Sequence, residues 1–198
     1  CSLPQDPERK AAQNVLYRII NVLVAILAPV LAFTSEEIWR YLRRDTDPVS
    51  VQLLDWPQAN DEYLNDELET RMNQVLALRE VVTKSLEEAR SRKVIGHSLG
   101  ARVEVYADGK WQEIINKTPA MDKILIVSAL EIKDAADRPA EATSLEGVDG
   151  VWVKVTAAEG EKCERCWIID TSVGKNHQHP TLCKRCSNVV EKLQLTTD

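Results

Sequence analysis

The chain has 198 residues, five cysteines and a formal net charge of −6. That length accommodates one large domain or two to three small ones, and the acidity excludes indiscriminate adhesion to nucleic acid. The longest apolar run, 22–33, has twelve residues and contains Pro29; a bilayer span needs roughly twenty, so a buried core helix is expected and no membrane partner.

The first residue is Cys1, not Met, so a processed start or a piece cut from a longer chain is expected. A lipoprotein-type start would call for a hydrophobic signal region, and none supports it. Asp6-Pro7 marks a helix start, an acceptor at the N-cap followed by proline in the first turn. That helix runs into the apolar stretch and ends or kinks at Pro29. A second helix follows, with Thr34 and Glu37 in capping-box positions and Phe33 and Ile38 placed for a hydrophobic staple. After a loop with Asp45, Asp47 and Pro48 comes the short apolar segment SVQLLDWP. From Asn60 to about Arg92, apolar residues recur mostly at three- and four-residue steps without proline or glycine, predicting one long helix.

The texture changes at Gly96. ARVEVYA alternates as a strand and ends in an Ala-Asp-Gly turn. A short helix around Trp111–Ile115 is expected next, then β-rich ILIVSALEI, a polar insertion over 139–150, and a further strand in VWVKVTAAEG. The expected fold class is α+β multidomain: a helical bundle over 1–95, a small α/β junction unit over 96–157, and a zinc-binding module over 158–198.

Charge is unevenly distributed. Residues 1–83 carry 8 basic and 13 acidic side chains, 84–117 carry 7 and 5, 118–149 carry 3 and 7, and 150–198 carry 7 and 6. A phosphate-binding surface would therefore be local, and the strip around Arg90, Arg92, Lys93 and Arg102 is the candidate; on charge alone it can equally be a solvated helix end.

The segment KCERCWIIDTSVGKNHQHPTLCKRC holds two Cys-x-x-Cys hooks, Cys163/Cys166 and Cys183/Cys186, sixteen residues apart. Zinc favours tetrahedral sites of this donor type, and each two-residue spacer lets both sulfurs face one ion. Four thiolates close the coordination and leave no position for a water nucleophile, so one structural Zn2+ is expected, supplying on the order of 10–16 kcal/mol toward folding. Cysteines used this way point to a reducing compartment and a cytoplasmic protein. A redox reading is weaker, because thioredoxin-type hooks act singly. His177 and His179 are alternative ligands or loop residues, and a Cys3His site would have to discard half of a complete pair. Arg165 and Trp167 flank Cys166, with Lys184 and Arg185 between the second pair. An outward Trp beside an Arg suits stacking on unpaired RNA bases; Trp167 can equally cover the metal site as a small core.

KCERCW, the long loop, HPTLC and the second hook resemble the C-terminal zinc domain of bacterial isoleucyl-tRNA synthetases, a zinc finger that also ends a DNA glycosylase family. LAPVLAFTSEEIWRYL with SVQLLDWP resembles the anticodon-binding helical domain of class I synthetases, and ARSRKVIGHSLGARVEVYA the isoleucyl-type junction after it. Together they cover essentially the whole chain, with 118–150 least distinctive. The resemblance implies a modular ligase that uses ATP to attach isoleucine to its tRNA. Its catalytic and editing domains, where ATP binds, would precede Cys1. This part would be a monomer holding the anticodon stem-loop, with Arg165 and Trp167 contacting bases and Arg90, Arg92 and Lys93 contacting phosphates. IGHS at 95–98 lacks the first histidine of the family's catalytic motif, so His97 is structural or a minor RNA contact. Two other readings stand beside this one: a DNA-repair glycosylase fragment, and a zinc-stapled protein-interaction module.

Overall fold

The computed structural model describes residues 2–194; Cys1, on which the expected processed or cut start rests, lies outside them. The chain divides into two compact units, the first Ser2–Leu64 and the second beginning at Asn65.

In the first unit, α1 (Pro7–Leu27) starts where Asp6-Pro7 predicts. The Asp6 carboxylate does not cap the helix; it accepts from the Leu3 N–H at 2.7 Å. α2 (Ala32–Leu42) begins earlier than the capping-box reading. Thr34 and Glu37 therefore lie inside the helix, and Phe33 is 94% exposed instead of stapling it. A different member of the SEEIW motif fixes the unit. The Glu36 carboxylate accepts from the Ser50 hydroxyl at 2.9 Å and from the Val51 N–H at 3.1 Å. It thereby anchors the start of the 3-10 turn Val51–Leu53. The Trp39 indole donates to the Pro48 carbonyl at 2.9 Å, and Gln52 donates to the Ala28 carbonyl at 3.2 Å. Around these bonds Val24, Ala28, Trp39 and Val51 form a small core.

The expectation of a largely buried first helix is not met. Val24 is the buried residue of α1, while Leu16, Ile19, Val22 and Leu23 are exposed. By length and composition α1 is apolar enough to cross a membrane, although the run interrupted at Pro29 suggested otherwise. α2 with the 51–53 turn covers one stripe of α1, and apolar residues on its other sides stay exposed.

The second unit opens with α3 (Asp66–Ser91), capped by Asn65, whose side chain accepts from the Leu68 N–H at 2.9 Å. Its 26 residues span about 39 Å; the expected start near Asn60 is instead a 3-10 turn, Asp61–Tyr63. The strands are β1 (Ala101–Ala107), β2 (Ala129–Asp134), β3 (Thr143–Leu145) and β4 (Val148–Ala157). They form a sheet in the order β2-β1-β4-β3, with β1 parallel to β2 and antiparallel to β4. α4 (Gly109–Asn116) and α5 (Met121–Leu125) connect β1 to β2. The run ILIVSALEI thus splits between a helix end and a strand, separated by Ile126 at φ +57.

One sheet face is a continuous core with α3. Val75, Leu78, Val103, Val105 and Val151 are fully buried, joined by Trp111 and Ile115. The buried Ser85 hydroxyl lies 2.7 Å from the Thr143 hydroxyl, tying α3 to β3. α3 therefore packs with the sheet, and the division of the chain falls at 64/65, before the expected boundary at 95/96. The other face carries charge that is internally satisfied: Arg102 with Glu131, Lys133 with Glu104 and Glu131, Lys154 with Glu141. Gly150 needs its freedom, since at φ +85 a Cβ there would come within 2.1 Å of the Asp108 carboxylate that caps α4.

Replacing Glu36 by alanine leaves the Val51 N–H and the Ser50 hydroxyl without their acceptor. A loss of about 1–3 kcal/mol in the stability of the first unit is expected, read as faster hydrogen exchange at Val51 with unchanged protection in β1.

Candidate metal centre and its surroundings

The last part of the second unit contains little apolar material. β5 (Glu161–Lys162) and β6 (Ile169–Asp170) form a two-residue antiparallel ladder around the first hook, and α6 (Lys184–Gln194) leaves the second. Gly160, at φ +109, lets the backbone pass Asp170; a Cβ would fall within 2.6 Å of its carbonyl. Ser128 joins the module to the sheet, donating to the Leu99 carbonyl and accepting from the Ile169 N–H at 2.8 Å.

The four hook cysteines converge. Their sulfurs all lie within 4.8 Å of one another, and those of Cys166 and Cys183 are 3.7 Å apart. Tetrahedral zinc with Zn–S near 2.3 Å requires about 3.8 Å between sulfurs, so the donor set fits. Its electrostatics also call for a cation. Burial opposes ionisation at Cys163, but N–H groups of Cys183, Cys166 and Arg165 outweigh it and bring that thiol down to about 6. At Cys183, burial and the neighbouring sulfurs push the thiol up to about 12. Four thiolates this close together, three of them buried and Cys166 half-buried, coexist only around a positive charge. Cys163, Cys183 and Cys186 form the centre of the module, with Ile168, Val173 and Leu182 packed against them. Among the described residues, neither His177 nor His179 joins the cluster.

The knuckle residues divide their roles. Arg165 is half-buried and turns inward, its Nη1 donating to the Cys186 sulfur at 3.8 Å. Arg185 is exposed but reaches back from the other hook: desolvation opposes its charge, yet the hydrogen bond to Cys166 and the surrounding sulfurs outweigh that and hold its pKa above the ordinary value. Two guanidiniums thus stand against the sulfur cluster, where they would offset the double negative charge that four thiolates leave around a divalent ion. Spacing alone suggested only that such residues point outward.

Trp167 does point outward and is 61% exposed. Its backbone lies in the left-handed region at φ +67, fixed by its N–H donating to the Cys163 carbonyl at 2.8 Å. An L-residue there costs roughly 1–2 kcal/mol. The Lys162 ammonium stands 5.4 Å from the ring centroid. A tryptophan held in an unfavourable backbone state, with its ring in solvent, does not form a local core.

The basic strip is distant in sequence. Arg90 pairs with Glu87, and Arg92 with Glu88 at 3.9 Å. Lys93 is exposed and also left-handed, at φ +59. It closes α3 in a Schellman-type turn, with the Val94 N–H reaching the Ala89 carbonyl at 2.9 Å. His97 is exposed at the start of the Ser98–Gly100 turn, and neither Gly96 nor Gly100 requires a glycine conformation.

Two family models match the chain. One, described as the anticodon-binding domain of tRNA ligase, covers residues 2–105. The other, a zinc finger found in FPG and IleRS, covers 160–189. Similar curated proteins include the isoleucine–tRNA ligase of Syntrophomonas wolfei, 63% identical over 98% of this chain and 21% of the relative. The isoleucine–tRNA ligases of Moorella thermoacetica and Desulfitobacterium hafniense are 46% and 42% identical, over 94% and 93% of this chain and 20% of each relative. The chain spans about a fifth of the length of these curated relatives.

Two outcomes follow from the geometry. Stripping the metal with a chelator should abolish the backbone protection of the hooks while that of β1 and β4 persists, measurable by hydrogen exchange. Trp167→Gly should retain zinc against a competing chelator more tightly than Trp167→Ala, by about 1 kcal/mol, because glycine adopts the left-handed state without strain.

Proposed function

The chain belongs to the anticodon-binding domain family of tRNA ligases, and we propose that it recognises the anticodon region of a tRNA as one part of an isoleucine–tRNA ligase. In the parent enzyme, isoleucine is attached to its tRNA at the expense of ATP, by catalytic and editing domains that lie elsewhere in the protein. This part contributes binding and no bond-making, and it acts as a monomer in the cytoplasm.

The observation that carries the reading is Trp167, exposed and backbone-strained on the metal knuckle. Strain of this kind persists where surrounding structure over-determines it, and it points to a role for the side chain. One bound zinc supplies a closed, rigid coordination that holds the knuckle still. Cys163, Cys166, Cys183 and Cys186 are its ligands, and Arg165 and Arg185 balance its charge. The indole then offers a preformed platform on which an unstacked anticodon base lies, with the Lys162 ammonium beside the ring for phosphate. Arg165, though hydrogen-bonded to Cys186, is in the same knuckle and contributes to base contact through it. Lys93 reaches phosphate directly, and Arg90 and Arg92 join it by exchanging weak surface pairings with Glu87 and Glu88 for RNA. The apolar faces of α1 that α2 leaves uncovered are the surface on which the rest of the parent protein packs.

Binding of the zinc-loaded chain to the isoleucine tRNA anticodon stem-loop tests this. Trp167→Ala should weaken it by about 1–3 kcal/mol, with zinc content unchanged, and Trp167→Gly should lose as much affinity despite its firmer metal site. A preference for abasic duplex DNA would overturn the reading in favour of a repair glycosylase, a class in which the same zinc finger occurs.

A further inference from the structure

The histidine-bearing loop between the hooks is not used by the metal, and it borders a cleft of about 490 Å³. The cleft is lined by Lys175, His177, Gln178, Lys184 and Asn188, together with Ser172, Asn176 and Ser187. Among the described residues, no carboxylate and no apolar side chain lines it. In a chain of net charge −6 this is unusual. A second cleft of the same volume, between α3 and α4, mixes both signs: Asp66, Glu67 and Glu113 with Arg71, Lys110 and Lys117. The basic groups of the open sheet face, Arg102, Lys133 and Lys154, are each committed to a glutamate.

Two carboxylates of the module stand behind the cleft wall and keep their charge, Asp170 attracting Arg185 and Lys175. Asp170 accepts from the Ser172 N–H and hydroxyl, and Glu191 accepts from the Asn176 amide at 2.9 Å. These bonds fix the wall of the cleft through Ser172 and Asn176. The thiolate centre is offset by Arg165 and Arg185. What remains directed at the cleft is two ammonium groups, an imidazole and two amides, the donor set that surrounds a phosphodiester.

We propose that this cleft is a second RNA subsite, which grips the ribose-phosphate backbone of the same tRNA whose anticodon base stacks on Trp167. This rests on the tRNA-binding reading and adds a division of labour. Trp167 engages a base, while Lys175, His177 and Lys184 engage phosphate without regard to sequence. The two sites are held in register because the Glu164 N–H of the first hook donates to the Thr181 carbonyl at 3.1 Å, and the Gly174 N–H to the Pro180 carbonyl at 2.8 Å.

The test is a salt titration of anticodon stem-loop binding by the zinc-loaded chain, comparing wild type, Lys175→Ala, Lys175→Ala/Lys184→Ala and Trp167→Ala, with zinc measured in each. Each lost phosphate contact should lower the slope of log K against log salt by about 0.7, so the double variant should lose about 1.4. The loss should be equal for stem-loops with the correct and an altered anticodon, whereas Trp167→Ala should leave the slope nearly unchanged. Lys175 lies outside both hooks, so its single variant keeps the question answerable if Lys184→Ala disturbs the metal. An unchanged slope in Lys175→Ala, with Trp167→Ala still weakening binding, overturns the cleft and spares the functional reading. Wild-type chain that does not bind the stem-loop overturns both.

Discussion

Four sulfurs held within 4.8 Å of one another are the constraint on which the end of this protein depends. Like charges at that spacing repel strongly in a partly dry interior, and the module has little else to hold it. Ile168, Val173 and Leu182 are the partly buried apolar residues packed against the sulfurs besides Cys166, and Val189 is a buried apolar side chain of α6. A cation therefore takes the place of a hydrophobic core, and the backbone must follow the demands of coordination. The hydrogen bonds from the N–H of Trp167 to Cys163 and of Cys183 to the Cys163 sulfur are part of that geometry. So is the left-handed turn at Trp167, so a bound cation would present the ring as well as fold this module.

The same logic explains why Arg165 and Arg185 face the metal centre. A guanidinium beside a thiolate restores part of what a cysteine sulfur loses on leaving water, and its planar fork still presents a surface to the outside. A residue between two ligands can thus serve the metal and the surface together. Trp167 differs because it has no polar group to turn inward toward the sulfurs.

How much was legible in the sequence follows the range of the interactions. The hooks are local, so spacing alone named the four cysteines whose sulfurs converge. Asp6-Pro7 set the start of α1, and the alternation in ARVEVYA set β1 with its bounds. What failed needed partners far along the chain. Thr34 and Glu37 satisfy the capping pattern, but Glu36 has the better use in holding Ser50 and Val51. ILIVSALEI is apolar throughout, and period alone does not separate a buried helix end from a strand; the left-handed Ile126 divides the two. The helical period of α3 was plain, yet nothing in it said that its partner would be the sheet. Family resemblance supplied the functional assignment that spacing could not, while the inward turn of Arg165 and the carboxylate-free cleft appeared only with side-chain placement.

Net acidity and the proposed RNA recognition are compatible because charge is settled locally. Across the sheet face and the end of α3, most basic groups already have a carboxylate partner, so those surfaces present little net field to a polyanion. A chain uniformly basic would bind any phosphate backbone in many registers and gain affinity at the cost of discrimination. Against that background the exposed Trp167 ring stands on a left-handed turn of the first hook. Binding through such points requires the RNA to present an unstacked base and a backbone phosphate at a fixed separation. An anticodon loop meets that requirement and a continuous duplex does not, so under the proposed reading the acidic background would act as a filter on which RNA shapes bind.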